Sequence, residues 1–191
     1  MLRTQIRPAV IGLIVFTLIT GVIYPGVVTG IAQIIFPRQA NGSIIIFGGQ
    51  ARGSVLIGQL FDDPRYFWGR PSATSPLPYN AAASTGSNLG PSNPALIDAV
   101  RSRIAALKAA DPGNNLLIPV DLVTSSGSGL DPQISPAAAY YQVPRIARVR
   151  GLSEQSIRQL VDKYTQGRWL GILGEPSVNV LELNLALDRI Q

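Results

Sequence analysis

The residues that could do chemistry in this chain are serines, lysines and carboxylates, because the sequence contains no cysteine and no histidine. This composition excludes thiol nucleophiles, Ser-His-Asp triads and zinc sites built on Cys or His. A Ser–Lys pair is chemically conceivable, but no spacing in the chain favours one. The residues that could supply it are Ser72, Ser84, Ser87, Lys108 and Lys163. The sequence therefore predicts no catalytic residue and no metal site, and an enzyme is only an alternative.

Two short polar segments invite a catalytic or nucleotide-binding interpretation. Asp62 and Asp63 are adjacent, so on an extended chain they face opposite sides and make a poor general acid–base pair. With Arg65 they are more typical of a solvated turn. Gly127, Ser128 and Gly129 form a Gly/Ser segment that matches neither a P-loop nor a dinucleotide-binding signature, and a turn is the simpler interpretation.

Three aromatic residues stand beside an arginine at Tyr66, Phe67, Trp68 and Arg70. Aromatic residues and Arg are enriched in the energetic centres of protein interfaces. These four residues are therefore a candidate subunit interface. The alternative is that Phe67 and Trp68 attach their segment to the core.

The element that must position any such site is a membrane helix. No charged residue occurs from Pro8 to Phe36, whereas about 20 apolar residues suffice to cross the hydrocarbon layer. The Val, Ile, Leu and Phe residues between Val10 and Ile31 favour insertion by about 4–8 kcal/mol. A cleaved signal peptide has a shorter apolar region. We predict a transmembrane helix over residues 9–36, a short cytoplasmic N-terminus over 1–8 and one exterior domain over 37–191.

Positive charge indicates the orientation of this helix. Arg3 and Arg7 precede it, and Arg38 is the only charge that follows it before Arg52. Cytoplasmic flanks carry the excess of Lys and Arg. The N-terminus is therefore expected in the cytoplasm and the C-terminal domain outside it.

The membrane helix contains features suited to contact with other helices. Pro25 removes a backbone hydrogen bond and pushes on the carbonyl of Gly21, which predicts a kink there. Gly26 and Gly30 form a G-x-x-x-G pair on one face, which allows close approach of a second helix. The residues predicted to contact a partner helix are Gly21, Pro25, Gly26 and Gly30.

The sequence of the exterior domain predicts an α/β or α+β fold. Strands are predicted at residues 43–47, 54–57 and 117–123. Helices are predicted to begin after the capping residues Asn93, Ser135 and Ser153, with the third ending at Gly167. The tail, residues 178–190, is expected to be a short strand that turns into a helix. Between these elements, residues 61–91 are rich in Pro, Gly, Ser and Asn and predict an ordered, functional loop.

Four arginines form a basic group at Arg145, Arg148, Arg150 and Arg158. No acidic residue lies between Asp131 and Glu154 to neutralise them. An acidic protein surface or anionic lipid headgroups could contact them, but a solvated helix face is the favoured interpretation. An exported domain seldom meets nucleic acid, so no nucleic-acid partner is predicted.

With these residues assembled, the chain resembles the KdpC family, the small subunit of the bacterial ATP-driven potassium importer. The resemblance covers nearly the whole chain and rests on short motifs in a fixed order. The motifs are Thr20-Gly21 with Tyr24-Pro25, Tyr66 to Ser72, Gly86 to Pro94, Ser128 to Pro132 with Ile134 to Pro136, Arg150 to Leu152, Leu170-Gly171, and Gly174 to Pro176 with Asn179 to Leu181. Gln133 and Tyr164 depart from the family, whose members usually have His there.

The resemblance implies a role and partners in the bacterial inner membrane. The partners would be a channel-like potassium-binding subunit (KdpA), a P-type ATPase subunit (KdpB), a very small helix (KdpF) and membrane lipid. The family role is a catalytic chaperone that raises the ATP affinity of the ATPase subunit, with ATP bound mainly by that partner. If this role involves direct nucleotide contact, the candidates are Ser128, Gly129 and Asp131. A bracing role at the outer mouth of the channel-like subunit agrees better with the expected topology.

Two alternatives lie outside this family role. One is a membrane-anchored enzyme that uses a Ser–Lys pair. The other is a free-standing exterior ligand-binding or sensor module, for which the loop of residues 61–91 would be a binding lid.

The predicted orientation can be tested with protease added to intact spheroplasts. We expect digestion of residues 37–191, because positive flanking charge keeps the N-terminus inside. The measurement is the size of the protected fragment, with a cytoplasmic protein as the control for cell integrity. Complete protection of the domain would reverse the orientation.

Overall fold

The computed structural model describes residues 2–190, and it describes side chains from Thr4 onwards. The chain divides between Ile44 and Ile45 into two compact units. The first is helical, and the second contains both helices and sheet. The expected fold class, a mixed domain behind one long apolar helix, is confirmed.

The first unit is dominated by one apolar helical stretch. It comprises α1 (Leu2–Leu18), a π-helical turn (Ile19–Ile23), α2 (Tyr24–Ile35) and the short α3 (Pro37–Ala40). The span Thr4–Ile35 has 32 residues, and its most apolar 18-residue window has a mean hydropathy of 2.2 and is not buried within the chain. At 1.5 Å per residue it is about 48 Å long, more than a bilayer's hydrocarbon core requires. The helix is therefore long and apolar enough to cross a membrane.

The helix changes its hydrogen-bond pattern at the site where a kink was predicted. Pro25 has no N–H to donate to the carbonyl of Gly21. One residue earlier, the Tyr24 N–H donates to the carbonyl of Ile19, five residues back, at the end of the π-helical turn. The effect of the proline is thus taken up by a single π-helical turn, a common response to a broken hydrogen-bond ladder.

The remaining elements follow the long helix in mixed order. They are β1 (Ile44–Phe47), β2 (Gln50–Ser54), α4 (Pro94–Ala110), a 3-10 turn (Val120–Leu122), β3 (Gln133–Ile134), α5 (Pro136–Arg150), α6 (Glu154–Tyr164), β4 (Thr165–Gln166), β5 (Ser177–Asn179) and α7 (Val180–Leu187). Strands β1 and β2 form a hairpin, and β5 is the centre of an antiparallel sheet in the order β3-β5-β4.

The helix starts agree with the sequence prediction because their caps are local. The side chains of four residues accept hydrogen bonds from backbone N–H groups in the first turns of α4, α5, α6 and α7, and these residues are Asn93, Ser135, Ser153 and Asn179. Each satisfies a donor that the helix itself leaves unpaired. The predicted change from strand to helix near the C-terminus is also confirmed.

Two predicted strands and one helix end are wrong. Gly48 and Gly49, both with positive φ, make a tight turn, so the second strand of the hairpin is Gln50–Ser54 and not residues 54–57. Residues 117–123 contain the 3-10 turn instead of a strand. The helix α6 ends at Tyr164, before Gly167, because Thr165–Gln166 pair with β5.

The core of the second unit lies where α5, α6 and α7 meet the three-stranded sheet. Its fully buried apolar residues include Leu122, Val143, Ile146, Ile157, Val161, Val178, Leu183 and Leu187. These residues come from several different elements, so the core holds those elements together. Phe67 and Trp68, from the loop of residues 61–91, belong to the same cluster.

Two side-chain amides hold this loop in the core. The backbone N–H of Phe67 donates to Asn184 Oδ1 at 2.8 Å, and Asn184 Nδ2 donates to the Phe67 carbonyl at 3.0 Å. Gln142 makes the same pair of bonds to Trp68, at 2.7 and 3.1 Å. Asn184 of α7 and Gln142 of α5 thus replace the neighbouring strands that a sheet would provide. We call these four hydrogen bonds the amide clamp.

The amide clamp corrects part of the predicted interface. Phe67 is 0% exposed and Trp68 is 5% exposed, so neither offers a surface to a partner. The alternative interpretation, attachment of the loop to the core, is the one observed. The pattern of aromatic residues was ambiguous because buried anchors and interface anchors have the same composition.

Two of the four arginines of the basic group do not lie on a solvated helix face. Arg145 is 2% exposed, lies 4.7 Å from the Trp68 ring centroid, and donates to the carbonyls of Pro64 and Tyr66 at 2.5 and 3.0 Å. Burial lowers the pKa of Arg145 to about 10, so it stays protonated at neutral pH. Arg150 is buried too and pairs with Asp188 at 2.8 Å. Arg148, whose side chain is 54% exposed and pairs with Asp111 at 2.7 Å, and Arg158, which pairs with Glu154 at 3.4 Å, do fit the solvated interpretation.

The amide clamp predicts a large effect of Asn184→Leu. The substitution keeps the side-chain size but leaves the buried N–H and C=O of Phe67 unpaired, at about 1–3 kcal/mol each. We expect the free energy of unfolding of the full chain in mild detergent to fall by about 3 kcal/mol, which lowers the melting temperature by about 6–12 °C. Asn115→Leu, at an exposed position, is the matched control and should change the stability by less than about 0.5 kcal/mol. Equal effects of the two substitutions would refute the clamp.

Candidate functional site

Residues 61–91, the long loop, contain no helix or strand but are tied together by side chains. Ser72 Oγ donates to the Gly129 carbonyl at 2.7 Å and accepts from the Tyr79 N–H at 2.8 Å. Thr74 Oγ1 donates to the Leu77 carbonyl at 2.7 Å. The hydroxyl groups thus supply the partners that regular secondary structure would otherwise provide. The long loop therefore has a defined conformation, as predicted.

The Gly/Ser segment is the partner of this loop. The Ser128 carbonyl accepts from the Thr85 N–H and from Ser84 Oγ, both at 3.0 Å. Gly129 has a φ of +68°, and a Cβ there would lie 2.6 Å from the Thr85 carbonyl oxygen. Ser128 and Gly129, the candidate nucleotide contacts, are thus engaged in holding the long loop. Their contact with nucleotide stays a prediction.

Tyr79 covers the glycine backbone on the inner side of the loop. Its hydroxyl donates to the Arg70 carbonyl at 2.5 Å, and its ring occupies the space where Gly58 and Gly69 lack side chains. Burial raises the pKa of Tyr79 to about 12, so the hydroxyl remains a donor at neutral pH. This hydrogen bond fixes the backbone of Arg70 and so sets the direction of its side chain.

Arg70 and Asp131 were predicted for different roles, and the structure brings them together. Arg70 Nη1 lies 3.2 Å from Asp131 Oδ2, and Asp131 Oδ1 accepts from the Gln133 N–H at 2.9 Å. Arg70 Nε is buried and has no hydrogen-bond partner among residues 2–190. The pair joins the long loop to the segment that leads into β3.

An open cleft of about 580 Å³ lies beside this ion pair. Arg70, Asp131, Asp121 and Glu175 supply its charged groups, while Val120 and Pro176 are among its apolar residues. Gln133 also lines it. The side chains of residues 4–190 contain no group of three or more acidic residues that could hold a metal ion. The cleft suits a polar segment of a partner or a small polar ligand.

Tyr66 remains accessible at the other end of the aromatic segment. It is half-buried, its hydroxyl lies 3.2 Å from Asp188 Oδ2, and the Arg150 guanidinium lies 4.8 Å from its ring centroid. Asp63 pairs with Arg65 at 2.7 Å, and hydrogen bonding to that guanidinium lowers the pKa of Asp63 to about 2. The solvated turn expected for these residues is observed. The interface role of Tyr66 and Arg70 stays a prediction.

One prominent surface feature was missed by the sequence analysis. The connection between β4 and β5 folds into a small hairpin, residues 168–175, which we call the apolar hairpin. Its exposed apolar residues are Trp169, Leu170, Ile172 and Leu173, at 68, 72, 73 and 52% exposure. A run of large apolar residues flanked by Gly167 and Gly174, with neither helical nor strand periodicity, was the available signal.

The close packing at Gly129 predicts that a single methyl group loosens the long loop. Gly129→Ala combines a left-handed conformation with a clash against Thr85, so we expect the stability to fall by about 1–3 kcal/mol. Limited proteolysis of the full chain without nucleotide should then cut within residues 72–86 at least several-fold faster. Gly127→Ala is the control, since nothing lies within 4 Å of its Cβ position. Unchanged proteolysis of Gly129→Ala would show that this packing does not hold the loop.

Comparison with known proteins gives a consistent family. The family model described as KdpC: K⁺-transporting ATPase, c chain, matches residues 6–189. A potassium-transporting ATPase KdpC subunit of Herpetosiphon aurantiacus is 65% identical over 190 residues, covering 100% of this chain and 98% of the relative. The corresponding subunit of Methylococcus capsulatus is 63% identical over 185 residues, covering 97% of each chain. The chain therefore belongs to the KdpC family, the c chains of K⁺-transporting ATPases.

Proposed function

We propose that this chain is a non-catalytic subunit of a high-affinity, ATP-driven potassium importer. It stabilises the assembly of a channel-like potassium-binding subunit (KdpA) with a P-type ATPase subunit (KdpB) and a very small helix (KdpF). Family membership over almost the full length supports the place in such a complex. The exposed apolar surface of the helix within Thr4–Ile35 supports a role in holding chains together.

The observation that carries this proposal is the uncovered apolar helix. None of the apolar window within Thr4–Ile35 is buried in the chain itself. Lipid or other membrane helices must therefore cover all of its faces. Apart from the adjoining backbone of the helix, no atom of the described residues lies within 4 Å of the Cβ positions of Gly26 and Gly30, so their face is an open groove. Small residues in such a groove let a second backbone approach closely, which is how membrane helices commonly associate.

The proposed location is the bacterial inner membrane, with the N-terminus in the cytoplasm and the domain outside. The charge distribution around the helix supports this orientation. A domain on the outer side can brace the outer mouth of the channel-like subunit. The helix and the domain would then attach the chain to its complex at two separate points.

ATP is, on this proposal, bound mainly by the ATPase subunit. A domain outside the cytoplasm does not meet ATP, and Ser128, Gly129 and Asp131 already have partners in this chain. Any catalytic-chaperone effect on ATP affinity would therefore act through the assembly of the subunits. The spheroplast experiment separates these routes, because a cytoplasmic domain would restore direct nucleotide contact.

A second candidate function is a ligand-binding or sensor module, favoured by the cleft beside Arg70 and Asp131. Its apolar and charged lining would accept a small polar ligand. Such a module would work without other subunits. Retention of this chain by a tagged ATPase subunit in mild detergent would distinguish the assembly role from this one.

The glycine groove predicts a loss of assembly in Gly26→Leu and Gly30→Leu. Leu is a better helix former than Gly, so the helix itself is not weakened, but the added bulk fills the groove. Losing about 1–2 kcal/mol of helix packing weakens association by about 5- to 30-fold. The measurement is the amount of this chain that co-purifies with a tagged ATPase subunit.

The matched control for this experiment is Ala32→Leu. Ala32 lies two residues after Gly30, about 200° around the helix and so on the opposite face. Its co-purification should equal that of the unmodified chain. Equal yields for all three variants would show that the groove has no role in assembly.

A further inference from the structure

The apolar hairpin exposes four large apolar side chains on the surface of the second unit. Trp169, Leu170 and Ile172 are each about 70% exposed, and Leu173 is half exposed. Scattered exposed apolar residues are normal, whereas adjacent ones on one turn indicate an interaction site. The hairpin therefore exposes apolar surface area, which a partner could cover.

The hairpin holds these side chains in a fixed arrangement. The Trp169 N–H donates to the Leu173 carbonyl at 2.8 Å, and the Leu173 N–H donates back to Trp169 at 3.0 Å. Leu170 has a φ of +52°, a left-handed conformation that costs a non-glycine residue about 1–2 kcal/mol. The Leu170 side chain is thus exposed to solvent although it is apolar, and its backbone keeps this conformation although it is unfavourable for leucine. A preformed shape reduces the entropy lost on binding.

Charged groups surround the base of the hairpin but not its tip. Arg168 donates to both oxygens of Glu175, at 2.9 and 2.8 Å, and no charged residue lies between them. Glu175 also lines the cleft that contains Arg70. An apolar centre with Trp and a polar rim is the usual composition of a protein–protein interface.

These features favour a protein over lipid as the occupant. Surface-bound membrane segments usually combine apolar residues with unpaired Lys or Arg, but here Arg168 is paired and Glu175 is 79% exposed. A bilayer also needs no fixed arrangement of side chains, whereas a protein pocket does. A second copy fits poorly, because the neighbouring cleft carries the Arg70–Asp131 ion pair and would not bury an apolar tip without desolvating charge.

We propose that the apolar hairpin docks into a concave, mainly apolar pocket on another chain of the K⁺-transporting ATPase, on the same side of the membrane as this domain. Trp169 and Ile172 enter the pocket, and Arg168 and Glu175 contact its polar rim. This inference rests on the proposed function as an assembling subunit. It deepens that function by naming the part of the domain that makes the second attachment, beside the one made by the helix.

The test uses the absence of cysteine in this chain. Ile172→Cys introduces a single thiol at the tip, and Ile97→Cys is the matched control at an exposed position of α4. Labelling with a membrane-impermeant maleimide is measured on the band of this chain in three samples. These are the full chain in detergent, the full chain in phosphatidylethanolamine–phosphatidylglycerol vesicles, and the assembled complex. Rates for Ile172→Cys are divided by those for Ile97→Cys in the same sample.

We expect the same ratio of the two labelling rates in detergent and in vesicles, and an at least tenfold lower ratio in the complex. Failure of Ile172→Cys to assemble while Ile97→Cys assembles would also support docking. Protection in vesicles alone would assign the hairpin to lipid, and protection or disulfide-linked dimers in detergent would assign it to a second copy. Full reactivity in the complex would also overturn the inference. If the unmodified chain fails to join the complex, the proposed function itself fails.

Discussion

The second unit of this protein depends on the amide clamp, the four hydrogen bonds from Asn184 and Gln142 to the backbone of Phe67 and Trp68. Each bond adds only about 1 kcal/mol to stability, but each group left unpaired in the core would cost about 1–3 kcal/mol. A segment with no strand beside it can therefore enter the core where side-chain amides pair with its backbone N–H and C=O groups. Because α5 and α7 supply one amide each, the clamp also sets the position of those helices relative to the loop.

The surface follows from this buried contact. Once Trp68 is fixed, its ring lies near the guanidinium groups of Arg103 and Arg145, at 5.1 and 4.7 Å from the centroid. Burial lowers the pKa of both arginines, and their hydrogen bonds to backbone carbonyls compensate for lost water. Gly69 and Arg70 come next in the chain, so Arg70 reaches Asp131 and forms the edge of the cleft. An anchored core segment thus places a charged pair at a defined surface position.

The success of the sequence prediction depended on the range of the interactions involved. Caps such as Asn93 and Ser153 act within three residues, and the membrane helix shows itself by composition alone, so both were predictable. Arg145 was assigned to solvent because its partners, Pro64 and Tyr66, are about 80 residues away in sequence. The strand expected at residues 117–123 has a suitable apolar run, but no neighbouring strand pairs with it, and Leu117 is 94% exposed. The apolar hairpin escaped prediction because apolar runs are normally buried.

The two uncovered apolar surfaces, the helix and the hairpin, have complementary roles if both bind the same complex. They belong to one chain, and only residues 36–44 separate the helix α2 from the second unit. Once the helix has associated, a pocket for the hairpin within reach of this short connection is met at a high effective concentration. Two modest contacts then hold the chain far more firmly than either alone, without any extensive interface. On the docking proposal, the fixed shape of the hairpin would therefore contribute to binding only after the helix has associated with the complex.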